Sequence, residues 1–125
     1  MTTRMTADWT FEIPGPPVAK QRPRRGPGGT WYTPKATHDA ERHVAECAMA
    51  AGVRMEPKHE YSIEIDLHMS AIRDVDNCAK LILDGLQGMG DGWDDRHVRS
   101  LLVRRVSVRD GSEEKTVVRI EGLGE

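Results

Sequence analysis

Hydrophobic and polar residues alternate without a break over residues 61–69. Tyr61, Ile63, Ile65, Leu67 and Met69 fall on one side, and Ser62, Glu64, Asp66 and His68 on the other. A period of two puts those sets on opposite faces of a strand, one toward a core and one toward water. Trp9, Phe11 and Ile13 alternate with Thr10 and Glu12 in the same way, and Pro14-Gly15-Pro16-Pro17 ends that run. Leu101, Val103, Val106 and Val108 predict a later strand; their parity changes at Arg104-Arg105, where a bulge or twist would absorb the shift. Asp110-Gly111 reads as a hairpin turn into a last strand over residues 116–121.

Two segments carry the helical period instead. Ala40, Val44, Cys47, Ala48 and Ala51 share one face, with Thr37 placed as N-cap and Gly52 where a C-terminal glycine belongs. A second helix is expected over residues 76–87. Its apolar stripe is Ala79, Ile82, Leu83 and Leu86, and Asp76, Asn77, Lys80, Asp84 and Gln87 lie opposite. Residues 14–34, rich in proline, glycine and arginine, have no period and read as a long loop, the kind that is usually functional or mobile. The order β-α-β-α-β-β predicts an α/β (α+β) fold: one two-layer domain over residues 1–125 with a mixed sheet, two main helices and no internal repeat.

Composition narrows the function classes. A net charge of -2 over 125 residues excludes a non-specific nucleic-acid coat protein, while leaving room for a nuclease whose acids offset local basic patches. Cys47 and Cys78 have no CxxC partner and sit among small apolar residues, as buried hydrophobes of a reducing compartment do. Met1-Thr2-Thr3-Arg4 is followed by no apolar run, and no stretch is long enough to span a bilayer, so a cytoplasmic location is expected.

The candidate chemistry lies around the second helix. Asp74 and Asp76 stand where a strand hands over to that helix, Lys80 follows Asp76 by one turn, and Asp94-Asp95 follow the helix. Carboxylate oxygens are the ligands magnesium prefers, and a cation beside them meets a phosphate. Each has a plainer role: Asp74 or Asp76 as a helix cap, Asp94-Asp95 as a solvated turn, Lys80 as an i,i+4 ion-pair partner. An EF-hand is excluded by the positions of its glycine and glutamate, and His38, His43, His59, His68 and His97 form no zinc-hydrolase spacing. In the basic loop, Lys20, Arg22, Arg24 and Arg25 suit phosphate oxygens, and Trp31-Tyr32 either anchor the loop or stack on a base.

The run Asp74-x-Asp76-Asn77-x-x-Lys80-x-x-x-Asp84-x-Leu86, with Trp93-Asp94-Asp95-x-x-Val98 after it, resembles the RusA-type Holliday-junction resolvases. Lys20-x-Arg22-Pro23-Arg24 and Tyr32-Thr33-Pro34 resemble the branch carried by phages and prophages. The resemblance implies a magnesium-dependent homodimeric endodeoxyribonuclease that cuts four-way DNA junctions symmetrically in recombination and repair, with one or two ions per site. It implies that Asp74, Asp76 and Asp95 are the essential acids, with Asp94 able to share the third place. It makes Lys80 the essential lysine and gives Asn77 and Asp84 supporting roles. Two other readings use the same residues: a DNA-structure-binding protein whose acids are structural, and a magnesium nuclease acting on other branched DNA.

Overall fold

The computed structural model describes residues 8–124. Met1-Thr2-Thr3-Arg4, read above for a leader, lies outside them. Strand β1 (Asp8–Pro14) is followed by a small ribbon of β2 (Arg24–Arg25) and β3 (Trp31–Tyr32). Helix α1 (Lys35–Ala50), strand β4 (Glu60–Met69) and helix α2 (Val75–Gln87) come next, and β5 (Val98–Ser107) and β6 (Lys115–Gly124) end the chain. The four long strands form one mixed sheet in the order β1-β6-β4-β5, antiparallel except for the β4–β5 pair. This is the α+β architecture that the periodicities predict.

The alternation in β4 holds residue by residue: Tyr61, Ile63, Ile65, Leu67 and Met69 are all buried. They meet Phe11 and Ile13 of β1, Val118 and Ile120 of β6, and the apolar sides of both helices. The helices cover this one face of the sheet. The stripe of α2 is wider than the period suggests, because Cys78 and Leu81 are buried with Ala79, Ile82 and Leu86. The helices meet closely at Gly85, where a Cβ would lie 2.7 Å from Val44 Cβ and 2.9 Å from the Glu41 carbonyl. Both cysteines are free, and burial pushes both thiols up, which keeps them in the unreactive form.

Helix α1 ends as expected. Gly52 is left-handed at φ 81°, Val53 N–H donates to Ala48 C=O and Gly52 N–H to Met49 C=O, a Schellman closure. It begins differently. Thr37 is buried inside the first turn, with Pro34 at the N-cap, because the Thr37 hydroxyl accepts from Gln21 N–H and so serves the preceding loop. Ala51, expected on the apolar face, is the exposed C-cap.

Two strand expectations are corrected. No register shift occurs at Arg104-Arg105: Ile65, Asp66, Leu67 and His68 pair in unbroken order with Val103, Arg104, Arg105 and Val106. The irregularity lies at Arg99, skipped between Val98 and Ser100. The mixed parity arises because β5 is the open edge of the sheet, with Leu101 and Leu102 exposed on opposite faces. Nor do β5 and β6 form a hairpin at Asp110-Gly111, since β4 lies between them. The connection wraps the end of β4: Val108 N–H donates to Met69 C=O, and Asp110 caps a 3-10 turn over Gly111–Glu113. Among the described residues no helix is long and apolar enough to cross a membrane.

Candidate active site

β4, α2 and β5 form a strand-helix-strand unit with parallel strands, so α2 must run back along the sheet. Its N-terminus follows the end of β4, and its C-terminus leads to Val98, which pairs with Tyr61 at the start of β4. That topology fixes where each acid goes.

Asp74 and Asp76 open the helix. Asp74 is the N-cap, as its plainer reading has it, and accepts from Asn77 N–H at 3.2 Å and from the Asn77 side-chain amide at 3.0 Å. Asn77 therefore sets the orientation of the Asp74 carboxylate through two donors. Asp76 lies in the first turn, exposed, where the partial positive charge of the helix end favours a carboxylate. Lys80, one turn on, is exposed and makes no ion pair among the described residues, so its structural role at i,i+4 is not taken up.

The segment that leads into these residues is pinned from an unexpected quarter. Glu114, buried between the 3-10 turn over Gly111–Glu113 and β6, accepts from Arg73 Nη1 at 2.7 Å and from Ser70 N–H at 3.2 Å. The Arg73 guanidinium holds the Glu114 carboxyl below the usual range. Neither residue stands out in the sequence, because the partners meet only when the β5–β6 connection wraps β4.

Asp94 and Asp95 sit at the other end of α2. Asp94 caps a 3-10 turn over Asp95–His97, accepting from Arg96 N–H at 2.8 Å, and that hydrogen bond lowers its carboxyl. The turn packs against α2, and His97 closes it through a backbone bond to Asp94. The thirteen residues of α2 lie between Asp74 and this end, and eleven of them lie beyond Asp76, about 20 Å and about 16 Å at the rise of an α-helix. Accordingly, among the described residues no three His, Cys, Asp or Glu side chains stand together so as to hold a metal ion. The sequence places four acids around one helix; the fold puts them at its two ends.

The basic loop is docked rather than free. Lys20 N–H donates to Asn77 C=O at 3.0 Å, and its ammonium pairs with Asp84 on the exposed side of α2. Asp84 also accepts from Gln87 at 3.4 Å. Arg22, Arg24 and Arg25 remain exposed beyond that anchor.

A second charged cluster covers the open face of the sheet. Asp66 is only 8% exposed, accepting from Arg104 Nε at 2.8 Å and Arg119 Nη1 at 2.9 Å. Those bonds, Arg104 first, hold its carboxyl below the ordinary range against the opposing effect of burial. Register explains the cluster, since Arg104 pairs directly with Asp66, and Arg119 with Glu64 two residues away on the same face. It lies on the face away from α2 and is structural.

No curated protein matches the chain. The family model for Endodeoxyribonuclease RusA matches residues 14–121, nearly the whole chain. An enzyme that hydrolyses DNA phosphodiester bonds, with branched DNA as the family's substrate, accords with exposed carboxylates and a lysine at one end of a helix and a basic arm beside it. The chain belongs to the RusA endodeoxyribonuclease family, the Holliday-junction endonucleases.

Proposed function

We propose that this chain resolves four-way DNA junctions by paired, symmetric cuts, as a magnesium-dependent homodimer. The observation that carries the reading is the exposed group of Asp74, Asp76 and Lys80 on the first turns of α2. Hard carboxylate oxygens suit magnesium, which takes one or two carboxylates and keeps several waters. Asp74, Asp76 and Asp95, with Asp94 as the neighbour able to share the third place, would hold it. When bound it supplies Lewis-acid activation of water and neutralises charge at the scissile phosphate.

The chain's own residues do the rest. Asn77 aims Asp74, and the Lys80 ammonium, with no carboxylate partner among the described residues, meets a non-bridging phosphate oxygen where negative charge grows. Lys20 removes the charge of Asp84 from the approach path. Arg22, Arg24 and Arg25 grip the DNA backbone through planar forks.

The separation of Asp95 from Asp74 and Asp76 along α2 supports the dimer. Within one chain Asp95 stands at one end of α2 and Asp74 and Asp76 at the other, and a second copy related by a two-fold axis would offer its Asp95 to the N-terminus of α2. That arrangement makes two sites, and a four-way junction has the matching two-fold symmetry.

The test is cleavage of a synthetic mobile four-way junction, with linear duplex of the same sequence alongside, with and without magnesium. Paired nicks confined to the junction and dependent on magnesium are expected. Tight junction binding without cutting at any magnesium concentration would leave a binding protein, and cutting of flaps or forks in preference would move the activity to other branched DNA.

A further inference from the structure

The ribbon β2–β3 is the part of the chain least explained by folding. Arg24 pairs with Tyr32 and Arg25 with Trp31, and the turn closes with Gly26 N–H donating to Thr30 C=O at 2.7 Å. Gly28 and Gly29 are left-handed, at φ 79° and 81°. Two-residue strands are marginal in water, so the ribbon depends on its roots. One root is Lys20 on α2 with Gln21 bonded to Thr37; the other is Pro34, buried at the start of α1.

Its aromatic residues differ in use. The Tyr32 ring packs over Gly26, 3.2 Å from where a Cβ would stand, and the Arg25 guanidinium lies over Gly29 in the same way at 3.1 Å. Trp31 is 66% exposed and makes no ring contact among the described residues. Of the three tryptophans, Trp93 is buried edge-on to Tyr61 and Trp9 packs tilted against the same ring. Trp31 alone offers an open indole face, and residues 20–34 around it contain no Asp or Glu beside Lys20, Arg22, Arg24 and Arg25.

We propose that this ribbon is a base-stacking probe for the branch point, with Trp31 stacking on an unpaired base while Arg24 and Arg25 hold the phosphates on either side. The proposal rests on the junction reading above. The surrounding charge selects a polyanion, and an exposed flat ring selects one with flat groups to offer. In an intact duplex the base faces are taken up by their neighbours. At a strand-exchange point they can be freed, and every base has a π-face, so recognition needs no particular sequence. Because Lys20 bonds to Asn77, three residues past Asp74, the ribbon is rooted beside the end of α2 that carries Asp74 and Asp76.

The test compares wild type, Trp31→Ala and Trp31→Phe by fluorescence anisotropy, in EDTA to prevent cutting, on a four-way junction and on linear duplex. The same junction with 2-aminopurine beside the branch point reports stacking. For the alanine variant, junction affinity is expected to fall by about five- to hundredfold, the range of one base stack, with a smaller loss on duplex. Phenylalanine should restore most of it, and the 2-aminopurine signal should change with wild type and not with Trp31→Ala. Junction affinity unchanged by Trp31→Ala, with wild type still preferring the junction, would overturn the stacking role and leave the junction reading standing. Equal binding of junction and duplex by wild type would overturn both.

Discussion

The ammonium of Lys20 closes on the carboxylate of Asp84 while the N–H of the same lysine donates to Asn77 C=O, so the strap entering the arginine ribbon is fastened at two points along α2. The side chains are 29% and 17% exposed, enough for solvent to screen the pair in part. A double-mutant cycle of Lys20→Met and Asp84→Asn, read by urea unfolding, should give a coupling energy of about 1 kcal/mol. Zero coupling would mean that the lysine spends its time elsewhere in solution.

Lys80 should behave in the opposite way. With no carboxylate partner among the described residues, Lys80→Met is expected to change stability by less than about 0.5 kcal/mol. Its cleavage rate should fall by about a hundredfold or more. A stability loss as large as the activity loss would return Lys80 to a structural part.

The distance between the ends of α2 makes a subunit prediction. On the proposed dimer, Asp76→Asn and Asp95→Asn should each be inactive while still binding the junction. Mixed after unfolding and refolding together, the two variants should regain single-strand nicking, since one of the two sites then has Asp76 from one chain and Asp95 from the other. Inactive mixtures that still dimerise would place all three acids in one chain after a rearrangement.

Glu114 positions the segment before Asp74 through Arg73 and Ser70. Glu114→Gln should lower the cleavage rate by about tenfold, because small misplacement of a catalytic group is costly. Junction affinity should hardly move. Equal losses in affinity and rate would assign Glu114 to the general fold.

Asp66 and Glu114 both have carboxyls held below their ordinary values by arginines. As pH falls, the unfolded chain takes up these protons first, so the stability they contribute is complete above about pH 4 and is lost as pH drops through the depressed folded values. Unfolding midpoints should therefore fall below about pH 4 in wild type. Asp66→Asn should be less stable at pH 7, and its midpoint should fall less steeply in acid. An acid limb identical to that of wild type would remove Asp66 from the account.

Gly85→Ala should be destabilising despite alanine's better helix propensity, because its Cβ has no room against Val44 and the Glu41 carbonyl. Overpacking of this kind costs about 1–3 kcal/mol, measurable by chemical denaturation. A more stable variant would show that α1 can move aside.

What lay within one turn or one strand was open to a reading of the chain. Phe11, Ile13 and the Tyr61-to-Met69 alternation announced their buried faces, Gly52 its left-handed closure, and Asp74, Asp76 and Lys80 their shared end of α2. In each case backbone geometry alone sets which neighbours share a face. The sequence could not show that β6 inserts between β1 and β4 and leaves β5 at the edge. Nor could it show that Lys20 leaves the basic loop for Asp84, that Asp66 is buried beneath two arginines, or that Asp95 lies a helix length from Asp74. Those are decided by which distant surfaces bury each other and by the return path of α2. No local period records either, since the pairing of strands is settled by burial across the whole sheet.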